Sequence, residues 1–250
     1  FITATGRESV HAKKQKFWLI AVIIVVVAVS VLLLNWDKGR IASLSPTSFF
    51  EPSPACVVPQ MVSSQDQNRN GVPDSLDIVR GAREEVMQGT VYDASYYQGY
   101  PPEGRGACTD VIWRAFTAAG YNLKEMVDDD IRRSPAAYGE TGKHPDPNID
   151  FRRVGNLQVF LARYAQELTT DIKPNDVNNL TNWQPGDIVI FGGRLEHIGV
   201  ISDRRGRDGV PLMIHNSGPT ASEDQYWLTN WPTPISHHFR FIDLDSDYSV

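Results

Sequence analysis

The chain is short of cysteine and of positive charge, and each shortage narrows what it can be. Its 250 residues hold two cysteines, Cys56 and Cys108. Covalent cross-linking is thus limited to one bridge, which is the structural alternative to a reactive thiol in an oxidising compartment. Lysine and arginine number 24 against 30 acids, a net charge of −6, and this leaves no electrostatic footprint for nucleic acid. There is no internal repeat. Long apolar runs are also missing, with one exception. FWLIAVIIVVVAVSVLLL, residues 17–34, carries no charge and is long enough to span a bilayer as a helix. No small-x-small cleavage site follows it, so an uncleaved transmembrane anchor is expected over residues 17–36.

Arg7, Lys13, Lys14 and Lys16 precede this run against one acid, Glu8, and only Lys38 and Arg40 follow it closely. That bias predicts a single-pass protein of the cell membrane, with residues 1–16 a cytoplasmic tail and the body extracytoplasmic. Residues 37–60 are rich in Ser and Pro without periodicity and read as a stalk. The folded domain is expected over 61–244.

Helical spacing dominates the first half of that domain. Leu76, Val79, Ala82 and Val86 predict a helix over 74–88, and Val111, Ile112, Ala115 and Phe116 another, stopping at Gly120. NLKEMVDDDIRR predicts a short helix, and Leu157, Phe160, Leu161, Tyr164 and Leu168 predict an amphipathic one. The second half changes period: GDIVIF, HIGVIS, PLMIHN and HHFRFI read as strands. Helices followed by an antiparallel sheet make an α+β domain.

Just ahead of the first helix lies DQNRNGVPDSLD, residues 66–77. Asp66, Asn68, Asn70, Asp74 and Asp77 offer oxygens at loop positions 1, 3, 5, 9 and 12. Val72 would add its carbonyl, and Gly71 permits the sharp turn of a calcium loop. Calcium is expected here as a weakly held structural ion, outside any reaction. A polar turn capping the next helix is the plainer alternative.

The two cysteines differ in setting. Cys56 lies in the stalk, whereas Cys108 opens an amphipathic helix, where unpaired N–H groups favour the thiolate. Such a nucleophile needs a base, and the base an orienting partner. A hairpin centred on Gly206 would set His197 directly opposite His215 on one face of the sheet. Asp187 reads as a turn residue. The arginines of DFRRVGN and the acids of VDDDIRR read as surface charges, Asp146, Asn148 and Asp150 as loop-forming, and His237 and His238 as strand residues.

In the order GACTDVIWRAF, PGDIVIF, EHIGVISD and MIHNSG, the chain resembles the NlpC-type branch of papain-like cysteine peptidases. With HPDPNIDFRRVGNLQVFLARY added, it resembles more closely a bacterial family known as domain of unknown function 1287. The resemblance covers roughly residues 76–243. It implies a papain-like fold with Cys108 as nucleophile, His197 as base, His215 as the polar third member and Tyr96 as a substrate or oxyanion contact. It also implies peptide amides of peptidoglycan as substrate, with no cofactor in catalysis. One departure is plain: this chain reads Ala-Cys-Thr-Asp where those peptidases read Asp-Cys-Ser-Gly. The competing expectation is a non-catalytic, calcium-stabilised surface binding module.

Overall fold

The computed structural model describes residues 55–62 and 64–241, so the expected tail, the anchor at 17–36 and most of the stalk lie outside the described residues. Among the described residues no helix is long and apolar enough to cross a membrane. In chain order the helices are α1 (Asp74–Met87), α2 (Cys108–Ala118), α3 (Leu123–Arg133), α4 (Gly139–Lys143), α5 (Val154–Tyr164), α6 (Val177–Leu180) and α7 (Tyr226–Asn230). The strands are β1 (Val91–Tyr92), β2 (Arg105–Gly106), β3 (Gln166–Glu167), β4 (Ile188–Phe191), β5 (His197–Arg205), β6 (Pro211–His215), β7 (Ser222–Asp224) and β8 (Ile235–Arg240).

The apolar spacings of the first half become helices at nearly the expected bounds. α1 and α2 pack so closely that a Cβ at Gly81 would come within 2.5 Å of the Ala118 methyl. Gly120, with φ +93°, ends the α2 turn in the left-handed region that favours glycine. Asn122 accepts from the Glu125 N–H and caps α3. α5 stops at Tyr164, short of the expected Leu168. Ala165 turns extended, β3 pairs with β8, and the Leu168 N–H donates to the His238 carbonyl. Pairing an edge strand wins over one more helical turn.

β3 to β8 form one six-stranded antiparallel sheet in the order β3-β8-β4-β5-β6-β7. Helices cover one face, where Ile78, Ile112, Phe116, Leu157 and Phe160 meet Ile190, Ile198, Val200 and Ile214. On the other face Trp183, Val189, Phe191, Ile201, Met213 and Leu228 make a second core. All four residues of β4 are buried, which is why GDIVIF shows no polar alternation. Residues 56–60, expected as stalk, are fastened to this second side together with Met61. The Cys56 N–H donates to the Arg207 carbonyl, and Gln184 is bonded to both Pro59 and Met61.

Asp187 does more than shape a turn. Its buried carboxylate accepts from the Gln184 N–H, from Arg240 through Nε and Nη2, and lies 2.9 Å from His238 Nε2. His238 in turn stacks on Trp183 at 3.9 Å. The acids of VDDDIRR divide: Asp129 pairs with Arg132 at the surface, while Asp130 is fully buried and takes Tyr138, Tyr164 and Arg163. Removing one member of a buried ionic network strands the others. Asp187→Ala is therefore expected to cost about 3 kcal/mol, read as a lower urea midpoint. An unchanged midpoint would show that the Arg240 and His238 contacts carry no net stability.

Candidate active site

Cys108 is the first residue of α2, and the turn around it is held from below by a buried carboxylate. Asp110 accepts from the Ala107 N–H at 2.6 Å and from the Trp113 indole at 2.9 Å. Arg152 grips the same carboxylate through Nε and Nη2, at 2.8 and 2.9 Å. Arg152 also donates to the Ser95 carbonyl, and its own carbonyl accepts from the Thr109 hydroxyl. Asp110 and Arg152 are both buried, which corrects the expectation of a surface arginine there; Arg153 does stay outside, paired with Asp150. The strings CTDV and DFRR are thus two halves of one clamp on the helix that Cys108 opens.

The imidazoles come from the open end of the β5–β6 hairpin. The observed register sets Val200 opposite Ile214, so His215 is level with Gly199, and His197 is offset by two residues instead of directly opposed. A two-residue offset keeps both side chains on one face. The rings meet diagonally, with His197 Nε2 2.9 Å from His215 Nδ1. Gly199 has no room for a side chain, since a Cβ there would lie 2.8 Å from Met213 Cγ. Trp231 stacks on His197 at 5.1 Å and Trp227 meets His215 edge-on at 5.2 Å. Asn216, buried just after His215, donates to the Gly106 and Thr90 carbonyls. It ties the histidine strand to the segment that leads into Cys108.

Cys108 packs against the helical core, whereas both rings lie on the Trp side of the sheet. The thiol meets the Ile198 N–H, next to His197 along β5 but on the opposite face of the strand from the rings. Burial pushes the Cys108 thiol up to about 11, while the N–H groups of Ile198 and Thr109 pull the other way without prevailing. The expected helix-start activation is reversed, because desolvating a thiolate costs more than one helix terminus returns. Burial, followed by the neighbouring His215, pushes His197 down to about 3. Near neutral pH the resting site therefore holds a thiol and a neutral imidazole, suited to base-assisted attack and not to a standing ion pair. Both cysteines are free, so the bridge alternative falls.

Tyr96 is engaged elsewhere: its hydroxyl donates to Asp146 at 3.0 Å. Tyr92 is a tyrosine within electrostatic reach of Cys108. Its hydroxyl is raised by burial and then by the Cys108 and Asp110 charges. No periodicity marks Tyr92, and only its place in β1, hydrogen-bonded to Pro219, brings it near. Asp146, Asn148 and Asp150 do form a loop, with Asp146 accepting from the Asn148 N–H and Asp150 from the Asp146 N–H.

The 66–77 segment folds as a tight loop against the end of α2. Asp66 accepts from the Asn70 and Gly71 N–H groups, and Asn70 from the Val72 N–H. The amides of Asn68 and Asn70 both donate to Asp77 Oδ2 at 2.8 Å, and Arg80 lies 2.8 Å from Oδ1. Asp74 takes the Gln67 N–H and the Tyr121 hydroxyl. These hydrogen bonds and the Arg80–Asp77 ion pair close the loop. Among the described residues no group of three or more His, Cys, Asp or Glu side chains is arranged to hold a metal.

Residues 79–241 match the family described as domain of unknown function (DUF1287), and the chain belongs to that family. A curated relative is the uncharacterized protein YijF of Escherichia coli (strain K12), 38% identical over 218 residues, with 82% of this chain and 99% of that protein covered. Among solved structures, NlpC1 and NlpC2 from Trichomonas vaginalis align at TM-scores of 0.37 and 0.36, each at 14% identity. These alignments cover 69% and 70% of this chain, and 46% and 50% of the two structures. The chain thus spans about half the length of the solved structures it matches.

The buried His197 gives a pH signature. An unfolded histidine binds a proton near 6.5, and the folded ring resists it down to about 3. This contribution to stability is complete above pH 6.5 and is lost as pH falls toward 3, roughly 3 kcal/mol by pH 4. Urea midpoints measured from pH 7 to 4 should fall accordingly, and His197→Gln should flatten the slope. A variant as steep as the wild type would place the titrating group elsewhere.

Proposed function

We propose that this chain is a cysteine amidase or peptidase, tethered to the cell membrane through residues 17–36 and acting outside it on peptide amides of the cell envelope. The observation that carries the reading is the buried 2.9 Å pairing of His197 with His215, one residue along β5 from the Ile198 N–H that meets the free thiol of Cys108. Because His197 Nε2 is engaged by His215, its Nδ1 is the nitrogen left to take the thiol proton. On this reading substrate binding draws the thiol and the ring together around the strand end, since catalytic hydrogen bonds commonly tighten only around substrate.

As Cys108 Sγ bonds to the amide carbonyl carbon, its proton passes to His197. The carbonyl oxygen, now negative, takes the backbone N–H at the start of α2. Collapse breaks the C–N bond, and His197 returns the proton to the departing amine. Water, deprotonated by the same ring, then releases the acyl group and restores the thiol. Substrate binding that excludes water but supplies donors would favour this transfer over resting ionisation.

A competing reading, a binding module without catalysis, draws on one observation: the thiol raised to about 11. The two separate cleanly. Incubated with purified peptidoglycan, the wild-type domain is expected to release peptides identifiable by mass. Cys108→Ala should lose more than about a thousandfold of that activity while keeping its thermal midpoint. Equal product from the variant would remove the mechanism.

Calcium in the 66–77 loop belongs to the same reading. Binding would require Asn68 and Asn70 to turn their amides so that oxygens face inward. Millimolar calcium should then raise the melting temperature of the wild type and not of Asp77→Asn. No rise in the wild type would leave the loop closed by its own hydrogen bonds.

A further inference from the structure

The relay does not stop at His215. Ser222 lies directly across from it on β7, with Oγ 3.2 Å from His215 Nε2. The same hydroxyl donates to Asp224 Oδ2 at 3.0 Å, and that carboxylate oxygen is itself 3.5 Å from His215 Nε2. A hydroxyl has one hydrogen. Spent on Asp224, it cannot also be given to His215, so the hydrogen between Ser222 and His215 belongs to the ring. With Nε2 of His215 as donor, its Nδ1 is left as acceptor. The hydrogen in the 2.9 Å contact then belongs to His197 Nε2, and His197 Nδ1 is bare.

We propose that Ser222 and Asp224 are positioning residues that fix the tautomer of His215 and, through it, leave His197 Nδ1 as the free base of the site. The chain of contacts runs from a partly exposed carboxylate on the edge strand to two rings that are 0% and 4% exposed. Asp224 is suited to the anchoring end: burial alone would raise its carboxyl, and hydrogen bonds with His215 and Ser222 more than reverse that. Its second oxygen accepts the Tyr226 N–H at the start of α7, which holds the carboxylate in place. Neither residue touches the thiol, so their effect passes entirely through the imidazoles.

This inference rests on the hydrolase reading for its purpose but not for its test. Nitrogen-15 NMR of the imidazoles in the full domain reports each tautomer without any substrate. In the wild type, hydrogen is expected on Nε2 of both His197 and His215, with both Nδ1 atoms bare. The double variant Ser222→Ala with Asp224→Asn should mix or invert the His215 tautomer and carry His197 with it, and Ser222→Thr alone should keep the wild-type pattern. A merely structural role for β7 would shift the melting temperature and leave the nitrogen signals alone. Hydrogen on Nδ1 of His215 in the wild type would overturn the proposal, and so would an unchanged pattern in the folded double variant. Failure to cleave peptidoglycan with the wild-type pattern intact would count against the hydrolase alone.

Discussion

The buried ion pair between Asp110 and Arg152 is the constraint on which the rest of the site depends. A carboxylate in the first turn of a helix is favourable on its own, since it meets unpaired N–H groups and the positive dipole end. Here it is also sealed from water, which is costly unless every lone pair is used. Ala107, Trp113 and both arms of Arg152 use them. The outcome is a helix start that cannot fray, with Cys108 fixed in direction. Arg152 extends the hold to the tyrosine-rich loop through Ser95, so one guanidinium ties together three separate stretches of chain.

The rigid surrounding has a consequence for the half-buried thiol. The same burial that orders the thiol also deprives its anion of water, and the local N–H groups do not make up the difference. At neutral pH Cys108 is therefore a thiol, and burial keeps the His197 ring neutral. Cysteine sites with low thiol pKa values react with many electrophiles; the raised thiol here sets this site apart from them.

Much of this was legible in the residues. The helices and four of the sheet strands follow from period and turn chemistry, and Cys108, His197 and His215 stand out by type and setting. What escaped has physical reasons. The hairpin register depends on an irregularity between Ile201 and Arg205, which no count from the turn can foresee. The two-residue error was harmless only because strand faces repeat every two residues. The Asp110–Arg152 pair joins positions forty-two apart, and charge type alone does not tell a buried partner from a solvated one. β7 is three residues long and only partly buried, too short to show a period, so Ser222 and Asp224 carried no signal. The helix-start argument for Cys108 was sound in sign but omitted desolvation, which sequence does not report.

The route by which the chain enters the domain bears on access. Its first fastened residue, Cys56, bonds to Arg207, in the closed turn of the β5–β6 hairpin. The two imidazoles sit at the opposite end of that ribbon, and β5 spans nine residues, or roughly 25–30 Å at the usual rise per residue. Among the described residues, the segment fastened at Cys56 therefore lies at the pole of the hairpin remote from the paired rings. The nine residues of β5 thus set the distance between that fastening and the paired imidazoles.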